Sequence, residues 1–291
     1  MNTLGIAIVN YMSADDTAGL VRSLVAHHTD AGTRIALAIV DNSDQRQELE
    51  RVVEFARAHG LSGRVIHGQG NVGYAAGNNL AASWLMEIGA ELIWVLNPDT
   101  RITGGVLASA LGLGSAGDRA IGATTSIDVN GDIRPDLGML DLWTGQSGQP
   151  LPGEDPPSRK LTYVAGHSIL ITRKAFETLN GFSEDFFLFY EEADIAVRSA
   201  RLGIPVAVVS GLTVAHAGGG ATGATADMTA KSIITYFHAS RSCMIFFRKH
   251  YRHRLPLAAA ARLLYAGKAL LVAGPKAATA VIRGTVAGLR A

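Results

Sequence analysis

The chain holds a single cysteine, Cys243, which excludes an internal disulfide and is compatible with a reducing cytoplasm. Acidic residues are missing altogether after Asp227, whereas the same tail carries eleven of the 26 Lys and Arg side chains. The first 227 residues therefore keep 15 basic against 25 acidic side chains, a balance of −10 that the overall net charge of +1 hides. An acidic body with a basic, apolar tail points to an anionic surface as the partner of the tail. No uncharged run of roughly 18 or more strongly apolar residues occurs, so a spanning helix is not expected. Met1 leads directly into a strand-like run with no basic n-region or cleavage site, so no signal peptide is expected. The turn after the first strand, Asn10-Tyr11-Met12-Ser13, has no glycine and cannot be a dinucleotide fingerprint. No Gly-Lys-Ser/Thr occurs, which removes a Walker phosphate loop. Aromatics are few, and the basic tail is apolar rather than striped for base stacking, so no nucleic-acid partner is expected.

What is present is apolar and periodic. Hydrophobic residues make up 48% of 291 positions, enough for a large core in one domain or a domain with an appendage. Thr3 to Val9, Arg34 to Val40 and Leu92 to Leu96 read as buried strands, with a shorter one from Gly63 to His67. Helices are expected from Asp15 or Asp16 through Val25, from Gln47 to His59, and from the Gly70–Asn79 turn to about Gly89. Alternating strands and helices imply parallel pairing with right-handed crossovers. Gly131-Asp132 reads as a hairpin turn, and Gly145 to Lys160 as a mobile loop. Strand character resumes at Leu161–Gly166 and Ser168–Thr172 and again at Val206–Val209, and Val214–His216 ends the regular part.

Polar side chains collect at strand ends. Asn10, Asp41 and the Asn97-Pro98-Asp99 segment each follow an apolar run, at the edge where open α/β sheets bind ligands. Asn97 and Asp99 are spaced to meet one hard cation or polar ligand. Asn-Pro and Asp-Thr are equally good turn formers, and a solvated turn is the alternative. Gly70 to Asn79 is either a loop capping a helix or a polar floor beneath a phosphate-bearing ligand. Gly166 marks a bulge or a close ligand approach.

The densest segment runs from Gly181 to Arg198. An aromatic cluster leads into Glu191, Glu192 and Asp194. Like charges this close raise one another's pKa when partly buried, which favours a base poised near neutrality. Acids welcomed by a helix N-terminus are the alternative. His216 precedes the glycine-rich Ala217–Gly223 loop, as a structural histidine or a ligand.

Taken together, Val9-Asn10-Tyr11, Val40-Asp41-Asn42-Ser43, Asn71-Val72-Gly73 with Gly77-Asn78-Asn79, Leu96–Thr100, Gly181-Phe182 to Arg198, and His216 resemble a family 2 glycosyltransferase of the GT-A fold, on the rhamnosyltransferase-like branch. The resemblance covers all but the last forty or so residues. It implies an α/β fold, a Rossmann-like mixed sheet flanked by helices, as a catalytic domain over 1–235, with a C-terminal helical tail over 236–291. It implies an inverting transfer of rhamnose or a similar sugar from a nucleotide-diphospho-sugar, a dTDP- or UDP-sugar, to a glycan or lipid-linked acceptor in cell-surface polysaccharide synthesis. The donor-binding set would be Asn10, Tyr11, Asp41, Asn71, Gly73, Asn78, Asn97 and Gly166, with Asp41 holding the pyrimidine. Asp99 and His216 would hold Mg²⁺ or Mn²⁺. Glu192 would be the general base, with Glu191 and Asp194 beside it. Three departures stand out: Asn97 in place of an aspartate, Glu192 where Asp is commoner, and Ser183 where Asp is usual.

Two rival classes are a sugar nucleotidyltransferase and a non-catalytic nucleotide-sugar-binding protein. The first would be expected to carry a glycine-rich first-strand loop with a basic residue, which is absent; the second would bind donor without transfer. The tail is expected to lie on an anionic membrane surface, at the inner face of the cytoplasmic membrane, with a helical cap or a homo-oligomer contact as the alternative.

Overall fold

The computed structural model describes residues 3–28, 32–127, 131–149, 159–216 and 227–291. They divide into two units, each with its own core. The units interleave along the sequence: described residues within 137–163 and 183–197 group with the C-terminal helices, and the rest of 1–217 forms the first unit.

In the first unit β1 (Thr3–Asn10), α1 (Ala14–Ala26), β2 (Arg34–Asp41), α2 (Arg46–Ala58), β3 (Ser62–Ile66), α3 (Gly73–Glu87) and β4 (Leu92–Leu96) follow the expected alternation. Every residue of β1 and β4 is buried, as a strand covered on both faces requires. The helices bury one stripe each. In α1 it is Thr17, Leu20, Val21 and Leu24; in α2 it is Leu49, Val52, Val53 and Ala56. Helix α3 lies close to the sheet, because a Cβ at Gly77 would sit 2.9 Å from Val9 Cγ2. A larger residue there would force helix and strand apart.

β5 (Thr100–Gly105), a 3-10 segment (Leu107–Ala116), β6 (Ile121–Ile127) and β7 (Ile133–Pro135) come next. Among the described residues the sheet has nine strands. Its order is β3-β2-β1-β4, then β11 (Ser168–Thr172), β6, β12 (Val206–His216) and β5, with β7 paired to β6. The first four strands are parallel, as expected. β11 runs antiparallel between β4 and β6 and makes the sheet mixed. A polar seam holds it there. Trp94 Nε1 donates to Ser168 Oγ at 2.9 Å, and Thr124 Oγ1 lies 2.8 Å from the same hydroxyl, all buried. The antiparallel β6–β7 pairing meets the expectation of a hairpin at Gly131-Asp132. α4 (Arg173–Leu179) is capped at its start by Thr172 Oγ1 and ends on left-handed Asn180.

The second unit holds a three-stranded sheet in which β8 (Leu137–Asp141) lies between β10 (Lys160–Val164) and β9 (Ser147–Gly148). Residues 150–158 of the loop expected to be mobile lie outside the described residues, as does the Ala217–Gly223 loop. α5 (Glu191–Arg201) begins in this unit. α6 (Ile233–His250), α7 (Leu255–Ala273) and α8 (Pro275–Arg290) form the helical tail. Phe246, Phe247, Met244 and Cys243 on α6 pack with Phe186, Ala193 and Val197. α8 meets α6 through small residues: a Cβ at Gly284 or Gly288 would come within 2.2 Å of Phe237 O or Arg241 O.

One expectation needs correcting. Arg252–Ala273 is long and apolar enough to cross a membrane, with a mean hydropathy of 1.4 over its most apolar window. No uncharged run was needed, because two charges in 18 residues leave the mean high. Length and composition do not make it a span. Arg262, mid-helix, is only 6% exposed and donates to Thr144 O at 3.3 Å within the same unit.

Candidate active site

In the first unit the ends of β1 and β2 meet in register, Asn10 opposite Asp41. Asn10 is fully buried and works on both sides. Its Oδ1 accepts from Thr17 and Ser13, which ties it to α1. Its Nδ2 donates to Gln45 Oε1 at 3.1 Å, Ser43 Oγ at 3.2 Å and Asp41 Oδ1 at 3.4 Å. Asp41 Oδ1 also accepts from the Ser43 amide and hydroxyl. Asp41 Oδ2 is buried and has no partner. One oxygen of the carboxylate is thus fixed by its own loop. The other is left as an acceptor in a place where an unmet charge is costly.

The neighbouring glycine-rich turn is held by asparagines. Asn71 Oδ1 accepts from the Gly73 amide at 3.1 Å, and Asn42 Nδ2 donates to Gly73 O at 3.1 Å. Gly73 has φ +85, which a side chain would strain. Tyr11, which follows Asn10 at the end of β1, is half-buried. Tyr74 on the same turn donates to Gly166 O at 2.7 Å, so Gly166 is set by α3. Asn78 is fully buried: its Nδ2 donates to Tyr74 O one turn back, and its Oδ1 has no partner. Asn79 makes a two-way bond with the Phe182 backbone, 2.8 and 2.9 Å, and so pins the Gly181-Phe182 segment.

At the end of β4, Asn97 is held by its backbone, its amide donating to His167 O at 3.0 Å. Its side-chain Oδ1 is buried without a partner. The antiparallel pairing of β5 with β12 places His216 opposite Thr100. That register brings His216 Nε2 to 3.2 Å from Asp99 Oδ1, with the side chains 28% and 13% exposed. His167 stacks flat on His216, ring centres 4.4 Å apart. Asp136 Oδ1 lies 3.7 Å from His167 Nε2. Burial pushes the Asp136 carboxyl up, but the nearby His167 imidazole and hydrogen bonds from Ser126 and Thr124 outweigh it and hold it below the usual range. No group of three or more His, Cys, Asp or Glu with metal-binding geometry occurs among the described residues. Asp99 and His216 are therefore a two-residue set. A carboxylate oxygen and an imidazole, near a sealed amide oxygen in sequence, suit a divalent ion that takes its other ligands from a bound anion and water.

In the second unit α5 opens with the three expected acids. Phe189 and Tyr190, just before it, both have φ near +70. Two consecutive left-handed aromatic residues are strained and persist only where packing enforces them. Tyr190 donates to Gly145 O and stacks near Phe246, which supplies that enforcement. Glu191 is 2% exposed with Oε1 unpartnered. Burial, and then the Glu192 and Asp194 charges, push its carboxyl well above the ordinary range. Glu192 is half-buried and is raised by burial against the pull of a backbone N–H. Tyr163 is raised by burial and then by the Glu192 charge beside it. Its ring fills the space left by Gly138, where a Cβ would come within 2.3 Å. Asp194 is fully buried, 2.7 Å from His250 Nε2 and 3.6 Å from Lys249 Nζ.

Four residues of these clusters were not expected from sequence: Asp136, Tyr163, His167 and His250. His167 follows Gly166 directly at the start of a strand, a signal that was readable. The others are joined to their partners only by tertiary contact.

The structural likenesses are broad. At 16% identity and TM-score 0.56, the chain matches a mannosyltransferase of Pyrobaculum calidifontis in complex with GDP-Man and Mn²⁺, over 98% of this chain and 86% of that one. It matches Staphylococcus aureus TarS 1-349 at 16% identity and TM-score 0.52, over 89% and 70%. This is the GT-A fold. GalNAc-T7 with UDP, GalNAc and Mn²⁺ shares that fold at TM-score 0.56 and 16% identity, over 83% of this chain and 51% of that one. A curated relative, the low-salt glycan biosynthesis hexosyltransferase of Haloferax volcanii, is 26% identical over 218 residues, 71% of this chain. The match spans 64% of that relative's length. No protein-family model matches the chain. These likenesses show the GT-A fold, and nothing among them singles out the rhamnosyltransferase-like branch.

Proposed function

We propose that the chain is a hexosyltransferase that moves a sugar from a nucleotide-diphospho-sugar to an acceptor hydroxyl, with inversion and with a divalent ion. The carrying observation is the Asp99–His216 pair, drawn to 3.2 Å by the β5–β12 register at the end of the sheet. A likeness to one structure described with GDP-Man and Mn²⁺ and another described with UDP, GalNAc and Mn²⁺ supports the same reading.

Asp41 presents Oδ2 to a base N–H, which favours a pyrimidine imide. Asn10 and Ser43 fix the carboxylate so that little reorganisation is needed on binding. Asp99 and His216 would hold Mg²⁺ or Mn²⁺, which when bound neutralises the diphosphate and eases its departure. Glu192 takes the acceptor proton as the acceptor oxygen attacks the anomeric carbon from the face opposite the diphosphate. Burial raises its pKa above the ordinary carboxylate value, the direction a general base needs. Glu191, more deeply buried, is pushed further in the same direction, which favours a single charge on the adjacent pair. The acceptor is a glycan or a lipid-linked glycan, and rhamnose or a similar hexose is the sugar.

Replacing Glu192→Gln tests the assignment. Transfer should fall by at least about a hundredfold, with donor binding by calorimetry unchanged. Transfer at the wild-type rate would remove Glu192 from the role. EDTA should abolish transfer, and undiminished activity would exclude the ion.

A further inference from the structure

A groove of about 600 Å³ lies between α6 and α8, and none of the residues assigned above lines it. Its α6 wall is apolar: Ile233, Ile234 and Phe237, with both isoleucines about half exposed. Its α8 wall carries Lys276 and Arg283. Seven residues apart, these two lie on one face of the helix, about 10 Å from each other along its axis. His238 completes the lining, and its Nδ1 is buried without a partner. Burial, with Arg241 nearby, holds its imidazole below the ordinary range, so at neutral pH it offers a hydrogen bond rather than a charge.

The surroundings fix what such a groove suits. No acidic residue follows Asp227, so the C-terminal helices hold no carboxylate side chain to neutralise the two cations. On α7, Leu257, Leu264 and Leu271 recur at seven-residue spacing, and Leu264 and Leu271 are 79% and 87% exposed. Leu270, Leu271 and Val272, all exposed, lead directly into Pro275 and Lys276 at the groove. Apolar side chains turned outward beside unneutralised cations complement hydrocarbon beneath a layer of phosphate. A soluble anion would use the cations and leave the leucines and isoleucines in water.

We propose that the α6–α8 groove seats the phosphate headgroup of an anionic membrane lipid, with the exposed leucines of α7 entering the acyl boundary. Lys276 and Arg283 hold the phosphate, and Ile233, Ile234 and Phe237 cover the first carbons of the chain. The inference does not depend on the glycosyl-transfer reading, since it concerns binding alone.

The test is sedimentation of the full chain with vesicles of phosphatidylcholine alone or with 30 mol% (about one lipid in three) phosphatidylglycerol. The wild type should partition onto the anionic vesicles at least about tenfold better. K276E/R283E should lose at least about tenfold, whereas R252E/R290E, which reverses two exposed tail cations outside the groove, should lose less than about threefold. Circular dichroism melting checks that each variant is folded, and K276Q/R283Q serves if the reversal is not. Equal losses in both pairs would reduce the effect to diffuse charge and overturn the groove. Calorimetry with decyl phosphate and with inorganic phosphate separates the sources: inorganic phosphate binding as tightly as decyl phosphate would overturn a lipid ligand. Sedimentation velocity without lipid closes the remaining case, because a dimer broken by K276E/R283E would assign the groove to a second copy instead.

Discussion

His250 Nε2 lies 2.7 Å from Asp194 Oδ1, and both side chains are closed to solvent, 2% and 0% exposed. The third acid of the α5 cluster is therefore a fastening to α6. Removing one partner leaves a buried polar group without its hydrogen bond. His250→Ala should lower the unfolding free energy by about 2 kcal/mol. His250→Gln, which keeps a donor, should lose less. Urea denaturation reads both, and an unchanged midpoint for the alanine variant would break the assignment.

Glu191 gives a pH dependence of definite sign. Its folded pKa lies well above the ordinary 4.5, so the folded chain holds a proton that the unfolded chain releases. Its contribution is favourable below the unfolded value and is lost as pH rises through the folded one. Glu191→Gln should therefore flatten the fall in stability above about pH 4.5 and be the more stable protein at pH 7. Asp136 and Asp185, held low by their partners, act in the opposite sense and only below about pH 4, so the windows do not overlap. Denaturation midpoints from pH 5 to 8 measure the difference. Parallel curves for the two proteins would contradict it.

Asp41 should be separable from its scaffold. Asp41→Asn keeps an oxygen for the Ser43 amide and loses the charge on the unpartnered side. Nucleoside diphosphate binding should weaken about tenfold or more, with thermal stability little changed. Equal affinity in calorimetry would detach Asp41 from the base.

The α6–α8 contact depends on two glycines. A methyl at Gly288 would press on Arg241 O and Met244 Cβ. Gly288→Ala should cost about 1–3 kcal/mol by overpacking, although alanine is the better helix former. A variant more stable than wild type in urea would show that the helices are not held this closely.

Much of the first unit was legible because its signals are local. Buried runs such as Leu92–Leu96 allow few conformations, and Pro98 ends the strand where the sequence says it must. The parallel order of β1 to β4 followed from alternation with helices. The insertion of β11 did not, since Trp94, Thr124 and Ser168 lie up to 74 positions apart and only the folded sheet joins them. The site divides in the same way. Asn10, Asp41, Asp99 and Glu192 stand at element ends and could be named from their strands and helix. The burial of Asn78 and the pairing of Asp194 with His250 depend on which helix face meets which neighbour, and one residue's identity does not carry that. The exposed leucines of α7 were readable as apolar, but not as outward-facing.

The most direct measurement is calorimetric titration of UDP-, dTDP- and GDP-sugars into the wild type and Asp99→Asn, each with and without Mn²⁺. One nucleotide sugar should bind at least about tenfold more tightly with Mn²⁺ present, and Asp99→Asn should erase that difference. Binding that is equally tight without the ion, or a metal effect that survives in the variant, would contradict a role for Asp99 and His216 at the donor diphosphate.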